Sequence, residues 1–191
     1  MSARLVIMGP QGSGKGTQAA RLAAHLGIPA ISTGDIFRAN TSGGTRLGRL
    51  AQEYTERGEL VPDEVTNEMV RDRLGQPDAA GGFILDGYPR NASQMDNLEQ
   101  ILGDLGVHLD AVVQLTADRD ELLARMSRRA ELEGRVDDTA EVIARRLDIY
   151  TERTAPLAAA YAERGLLVSV DGTGEIDTIT DRLVAGLRSR V

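Results

Sequence analysis

Five short apolar runs punctuate the chain, at about Arg4 to Met8, Pro29 to Ser32, Gly82 to Leu85, Ala111 to Leu115 and Leu166 to Val170. Between them apolar residues recur at three- and four-residue spacing. Short continuous runs suit strands buried on both faces, and the longer period suits helices with one buried stripe. Their alternation predicts an α/β domain around a parallel sheet. After the first run, Ala19, Ala20, Leu22, Ala23 and Leu26 make one helical stripe, which Gly27 and Pro29 end. Near the other terminus Ile176, Ile179, Leu183 and Leu187 make another. Both stripes read as core.

Two stretches break the alternation. Residues 32–61 hold Leu47, Leu50 and Tyr54 at helical spacing, closed by Gly58, and read as a small helical insertion between the second and third strands. Residues near 129–137 lie between a helix opened by Asp118 and one opened by Asp138, where Asp138 with Glu141 fits an acidic capping box.

Composition narrows the function. At 191 residues the chain has room for a single domain with a sizeable core. A net charge of −7 argues against a nucleic-acid binder, so any bound anion must meet a local cationic cluster. The absence of cysteine excludes disulfides and cysteine-based zinc sites. With two histidines far apart, His25 in a helix and His108 in a connection, a histidine metal pair or dyad has no support. No secretory leader or membrane-length apolar run is present, which points to a cytoplasmic location.

One cation stands out. Lys15 is the single lysine against 21 arginines, and it sits in Gly9-Pro10-Gln11-Gly12-Ser13-Gly14-Lys15-Gly16-Thr17. Such a glycine-rich run between a strand and a helix turns its backbone N–H groups toward phosphate oxygens, and a lysine there reaches the β and γ phosphates. A compact, rotatable ammonium is not replaced by a planar fork. Gly16 stands where Ser or Thr usually holds a magnesium ion, leaving Thr17 as the nearest hydroxyl. Phe83-Ile84-Leu85-Asp86 ends a strand in a carboxylate suited to Mg2+, directly or through water. Gly87-Tyr88-Pro89-Arg90 then reads as a rigid turn that presents Arg90 outward.

Taken in order, Gly12 to Gln18, Ser32-Thr33-Gly34-Asp35 with Arg38, Leu60-Val61-Pro62, Asp86-Gly87-Tyr88-Pro89-Arg90 with Gln94, and Gly134-Arg135-Val136-Asp137-Asp138 resemble the adenylate kinase signature series. The resemblance is collinear from the first strand to the last helix. It implies a P-loop three-layer α/β fold with a central five-stranded parallel sheet. The whole of residues 1–191 would be a single kinase domain, with 32–61 as the AMP-binding segment and about 129–137 as a short ATP lid lacking the zinc cluster of longer forms.

The resemblance also implies roles. Gly12, Ser13, Gly14, Lys15, Gly16 and Thr17 would hold ATP with Arg129 and Gly174. Thr33, Arg38, the backbone of Glu59, Leu60 and Val61, the turn Gly87, Tyr88, Pro89 and Arg90, and Gln94 would hold AMP. Arg135 and Arg146 would be shared between the phosphates, and Arg125 could stack on adenine. Lys15, Arg38, Arg90, Arg129, Arg135 and Arg146 would carry the chemistry, with Asp86 holding Mg2+ through water. The implied activity is reversible transfer, ATP + AMP to two ADP, by a cytoplasmic monomer with no nucleic-acid or membrane partner. A UMP/CMP kinase is the rival within the family, and Thr33 and Gln94 side with AMP, since pyrimidine relatives tend to carry Ala and Asn there. A GTPase-like switch would need a second lysine for its guanine motif. A nucleotide-binding module without turnover is the remaining alternative, opposed by the full arginine set.

Overall fold

The computed structural model describes residues 2–133 and 139–191, and of residues 129–133 the backbone only. In order the elements are β1 (Ala3–Met8), α1 (Lys15–Leu26), β2 (Ala30–Ser32), α2 (Thr33–Ser42), α3 (Arg46–Thr55) and α4 (Asp63–Leu74). A 3-10 turn (Pro77–Ala79) leads to β3 (Gly82–Asp86), α5 (Ala92–Asp104), β4 (Ala111–Thr116) and α6 (Arg119–Glu133). Beyond these lie α7 (Ala140–Ile149), a π turn (Tyr150–Thr154), α8 (Pro156–Glu163), β5 (Leu167–Asp171) and α9 (Ile176–Leu187).

The five strands form one parallel sheet in the order β2-β3-β1-β4-β5. Side chains alternate across it, which explains why the strands read as unbroken apolar runs. Val6, Met8, Phe83, Leu85 and Val112 face Val70 and Leu74 of α4, Leu98 and Ile101 of α5, and Leu157 and Tyr161 of α8. Leu5, Ile7, Ile84, Val113 and Leu115 face Ala19 and Leu22 of α1 and Leu183 and Leu187 of α9. Leu22 and Leu183 are 1% and 0% exposed. Each stabilises the fold by about 1.5–3 kcal/mol through removal from water. The stripes predicted for α1 and α9 are therefore core, except at their margins. Ala20 is exposed, and Ile176, in the first turn of α9, is 50% exposed at the mouth of a cleft.

Residues 32–61 fold as the helix pair α2 and α3, and Leu47 and Tyr54 pack against Phe37, Ala51 and Val61. Gly58 closes the segment at φ 70, a left-handed conformation that favours glycine. The pair is held by close contact and by a polar clasp. Thr41 Oγ1 donates to Gly48 O (3.2 Å), Thr45 Oγ1 accepts from Gly48 N (3.0 Å) and donates to Asn40 Oδ1 (2.8 Å). Helix α4 was not anticipated, because its apolar positions are diluted by Glu68, Arg71, Asp72 and Arg73.

The cap proposed at Asp138 is corrected. Helix α7 begins at Ala140, and its N-cap is Thr139, whose side chain accepts from Val142 N. An N-cap acceptor reaches the N–H three residues on, and Thr139 meets Val142 at that spacing. Asp138 itself lies outside the described residues.

Candidate active site

Parallel strands leave their loops at one edge, and the register shows which residues meet there. Ile7 of β1 pairs with Asp86 of β3, Ser32 of β2 pairs with the same Asp86, and Met8 pairs with Gln114 of β4. The glycine-rich loop after Met8, the Asp86 carboxylate and the start of α2 at Thr33 are thus neighbours. Crevices at the carboxyl edge of such sheets are where ligands bind.

Gly14 caps α1 at φ 88, a left-handed conformation at the turn where the loop's N–H groups and the helix dipole converge. Lys15 opens the helix, and its Nζ folds back to within 3.5 Å of the Pro10 carbonyl. Gly12, Ser13, Gly14, Thr17, Arg125, Gly174 and Ile176 line a cleft of about 270 Å3. Two ties set its far wall. Arg125 Nη1 donates to Gly172 O at 3.1 Å, and Gln18 Nε2 donates to Ile176 O at 3.0 Å while its Oε1 accepts from Thr180 Oγ1. Arg125 also pairs with Glu121 at 2.7 Å, which lays its guanidinium along the cleft.

On the other side of Lys15 the turn after β3 faces α2. Gly87 adopts φ 85, and a Cβ there would lie 2.6 Å from Thr33 Oγ1. Thr33 is buried and donates to Asp86 O at 3.4 Å. The Tyr88–Pro89 bond is cis. Tyr88 is buried with its hydroxyl donating to Asn67 Oδ1 at 2.7 Å. Burial first, and then Asp63, hold its phenol well above the ordinary 10.0, against Arg71.

Arg90 does not point outward as the turn suggested. It is half-buried, with its Nε donating to Gly87 O at 2.8 Å, because the turn doubles back and offers that carbonyl to the guanidinium. Burial depresses its pKa, Asp86 opposes that shift, and Arg146 and Arg38 add to it. Arg90 therefore feels two further guanidiniums and one carboxylate, a net positive surrounding in a partly desolvated place. Arg146 also donates to Thr55 O at 3.0 Å, which ties α7 to the end of α3. Arg38 pairs with Asp35 and stays half-exposed.

Gln94 is buried and fully oriented. Its Oε1 accepts from Arg90 N (2.8 Å) and its Nε2 donates to Asp63 Oδ1 (2.8 Å), an arrangement that one amide orientation alone satisfies. Asn91 caps α5, accepting from Gln94 N at 2.9 Å and donating to the same Asp63 oxygen at 3.0 Å. Val61 is buried, Leu60 half-buried, and Glu59 lies 3.8 Å from Arg57. Arg135 lies outside the described residues, and of Arg129 only the backbone in α6 is described.

Asp63, Asn91 and Thr154, which frame Arg90 and Gln94, were missed from sequence. Asn91 three residues before Gln94 is a cap signal that could have been read. Nothing local marks Thr154.

Among the described residues no group of three or more His, Cys, Asp or Glu could hold a metal ion, and no helix is long and apolar enough to cross a membrane. Asp86 lies beside the loop, its Oδ2 3.6 Å from where a Cβ on Gly16 would be. A carboxylate beside a glycine-rich loop fits Mg2+, which keeps its waters and takes phosphate oxygens, and among the described residues there is no all-protein cage.

The family model described as adenylate kinase matches residues 7–166. An adenylate kinase of Kocuria rhizophila is 59% identical over 184 residues, covering 96% of this chain and 98% of that protein. One of Thermobifida fusca is 54% identical over 98% of this chain and 99% of its own length. One of Bifidobacterium longum is 58% identical over 96% and 99%.

Proposed function

Since the chain belongs to the adenylate kinase family, we propose that it catalyses reversible transfer of the terminal phosphoryl group of ATP to AMP, giving two ADP. The observation that carries the reading is the convergence of Arg90, Arg146 and Arg38 beside Asp86, across the edge from the Lys15 loop. That is a double phosphate site, with a cradle on one side and arginine forks on the other.

Donor and acceptor bring roughly six negative charges, since a terminal phosphate alone carries about −1.5 to −2. Gly12 to Thr17 hold the ATP phosphates on backbone N–H groups, with Arg125 and Gly174 along the adenine side. The AMP phosphate lies against Arg38 and Arg90, and its base against Thr33, the backbone of Glu59 to Val61 and Gln94. Arg146 bridges the two, joined on the family resemblance by Arg129 and Arg135. The AMP oxygen is already ionised and attacks the γ phosphorus in line, so no general base is needed. Lys15 accompanies the moving phosphoryl group. Mg2+, when bound with ATP beside Asp86, supplies further neutralisation of phosphate charge. Residues 32–61 and about 129–137 exclude water by closing over the two nucleotides, which prevents hydrolysis. A cytoplasmic monomer without nucleic-acid or membrane partners completes the reading.

The test is conversion of ADP with Mg2+ into ATP and AMP by the purified protein, with no other nucleotide present. Folded protein without that conversion would overturn the proposal. In a panel of monophosphate acceptors AMP should lead, and UMP or CMP outperforming it would move the base assignment.

A further inference from the structure

Arg146 and Arg38 both repel Arg90, so the protein's own contacts must hold Arg90 in place. The side chain of Arg90 has its bond to Gly87 O, and its backbone N–H is taken by Gln94. The remaining backbone group, the Arg90 carbonyl, accepts from Thr154 Oγ1 at 2.7 Å. Thr154 is 6% exposed, so this bond is shielded from competing water.

Thr154 ends the π turn after α7. The turn carries the wide bond from Ala155 N to Tyr150 O at 2.8 Å, and Thr151 Oγ1 donates back to Leu147 O at 3.0 Å. A π turn inserts an extra residue and re-aims the side chains beyond it, and such turns are frequent at functional sites. Here the re-aimed side chain reaches the turn after β3. Because α7 also carries Arg146, one continuous segment supplies an arginine to the site and fixes the backbone of its neighbour.

We propose that Thr154 is a positioning residue: it holds Arg90 in register with Arg146, so the phosphate pocket is assembled before the acceptor arrives. The inference rests on the assignment of Arg90 to the AMP phosphate. Removing the hydroxyl takes the hydrogen-bond donor from the carbonyl of half-buried Arg90 and frees the turn to drift from α7 under the repulsion of the two guanidiniums.

The test is a double-mutant cycle on the full chain, read as AMP and ATP dissociation constants by titration calorimetry together with ADP conversion. Thr154→Val should weaken AMP about tenfold and ATP less than about twofold, and Thr154→Ser should return AMP binding to within about threefold of the parent. In an Arg90→Ala background Thr154→Val should weaken AMP by no more than about twofold further, because the residue acts through Arg90. A full second loss in that background, equal loss for both nucleotides, or a serine variant as weak as valine would overturn the inference. Should Thr154→Val be unfolded at the assay temperature, Thr154→Cys, a poor donor, is read in the same cycle with the same outcomes. An inactive parent protein would instead refute the proposed activity. Undiminished AMP binding in Arg90→Ala would refute the role of Arg90 and take this inference with it.

Discussion

Gly48→Ala tests how the α2–α3 segment proposed to hold AMP is built. A Cβ at position 48 would lie 2.1 Å from Asn40 O, 2.3 Å from Asn40 C and 2.4 Å from Thr41 N, all backbone atoms of α2. Ordinary contact begins at 3.4 Å, so the two helices must part by about 1.3 Å. No side chain can swing away to relieve this. Overpacking of that kind costs about 1–3 kcal/mol. The shift also strains the clasp at Thr41 and Thr45, where each hydrogen bond contributes about 0.5–1.5 kcal/mol. Against this stands helix propensity, since alanine exceeds glycine by at most about 1 kcal/mol within a helix. The steric terms win, and the net loss is about 1–4 kcal/mol. At roughly 2–4 °C per kcal/mol for a chain of this size, the melting temperature should fall by about 2–16 °C. Because α2 carries Arg38 and begins at Thr33, the KM for AMP should rise while that for ATP stays nearly unchanged. Thermal unfolding by circular dichroism and paired steady-state titrations measure both. A Gly48→Ala protein as stable as the parent, or more so, with an unaltered AMP KM would show that propensity dominates and that the close approach of α2 and α3 is not what holds the segment.

The other expectations concern single side chains. Lys15→Arg conserves charge but puts a rigid fork where, on the proposed mechanism, a point charge accompanies the phosphoryl group, so kcat should fall by about a hundredfold or more with the melting temperature unchanged; near-normal turnover would remove any special role for the lysine. Gln94→Ala removes both the Arg90 N–H acceptor and the donor to Asp63, and should raise the AMP KM well above its effect on ATP; the reverse split would mean the two nucleotide sites are interchanged. Burial, and then neighbouring Tyr88, hold the Tyr161 phenol well above its ordinary 10.0. Its raised folded value means a contribution fully present below pH 10 and lost as pH rises beyond it, so stability should decline above about pH 10. Among the described residues the buried Tyr161 hydroxyl has no hydrogen-bond partner, so Tyr161→Phe should be neutral or stabilising near neutrality and should move the alkaline decline upward, as urea midpoints at pH 7 and pH 10.5 would report.

Every strand to within a residue or two, the glycine-rich loop between β1 and α1 and the family were legible in the chain itself, because each rests on local pattern. An apolar run bounded by glycine, or a glycine-rich loop around one lysine, needs no distant partner to be read. The stripes of α1 and α9 were equally readable, and Ile176 departed from its stripe because exposure depends on which other elements reach it. Sheet order and the meeting of Asp86 with Ile7 and Ser32 came only from strand pairing. Folding in three dimensions turned Arg90 inward, since a carbonyl offered three residues earlier cannot be seen in residue types. It also brought Thr154 to Arg90 across 64 positions and Asp63 to Gln94 across 31. The physical reason is one of range: backbone propensity and apolar periodicity are local, whereas hydrogen-bond partners and like-charge crowding are set by which edges and helix ends the fold brings together.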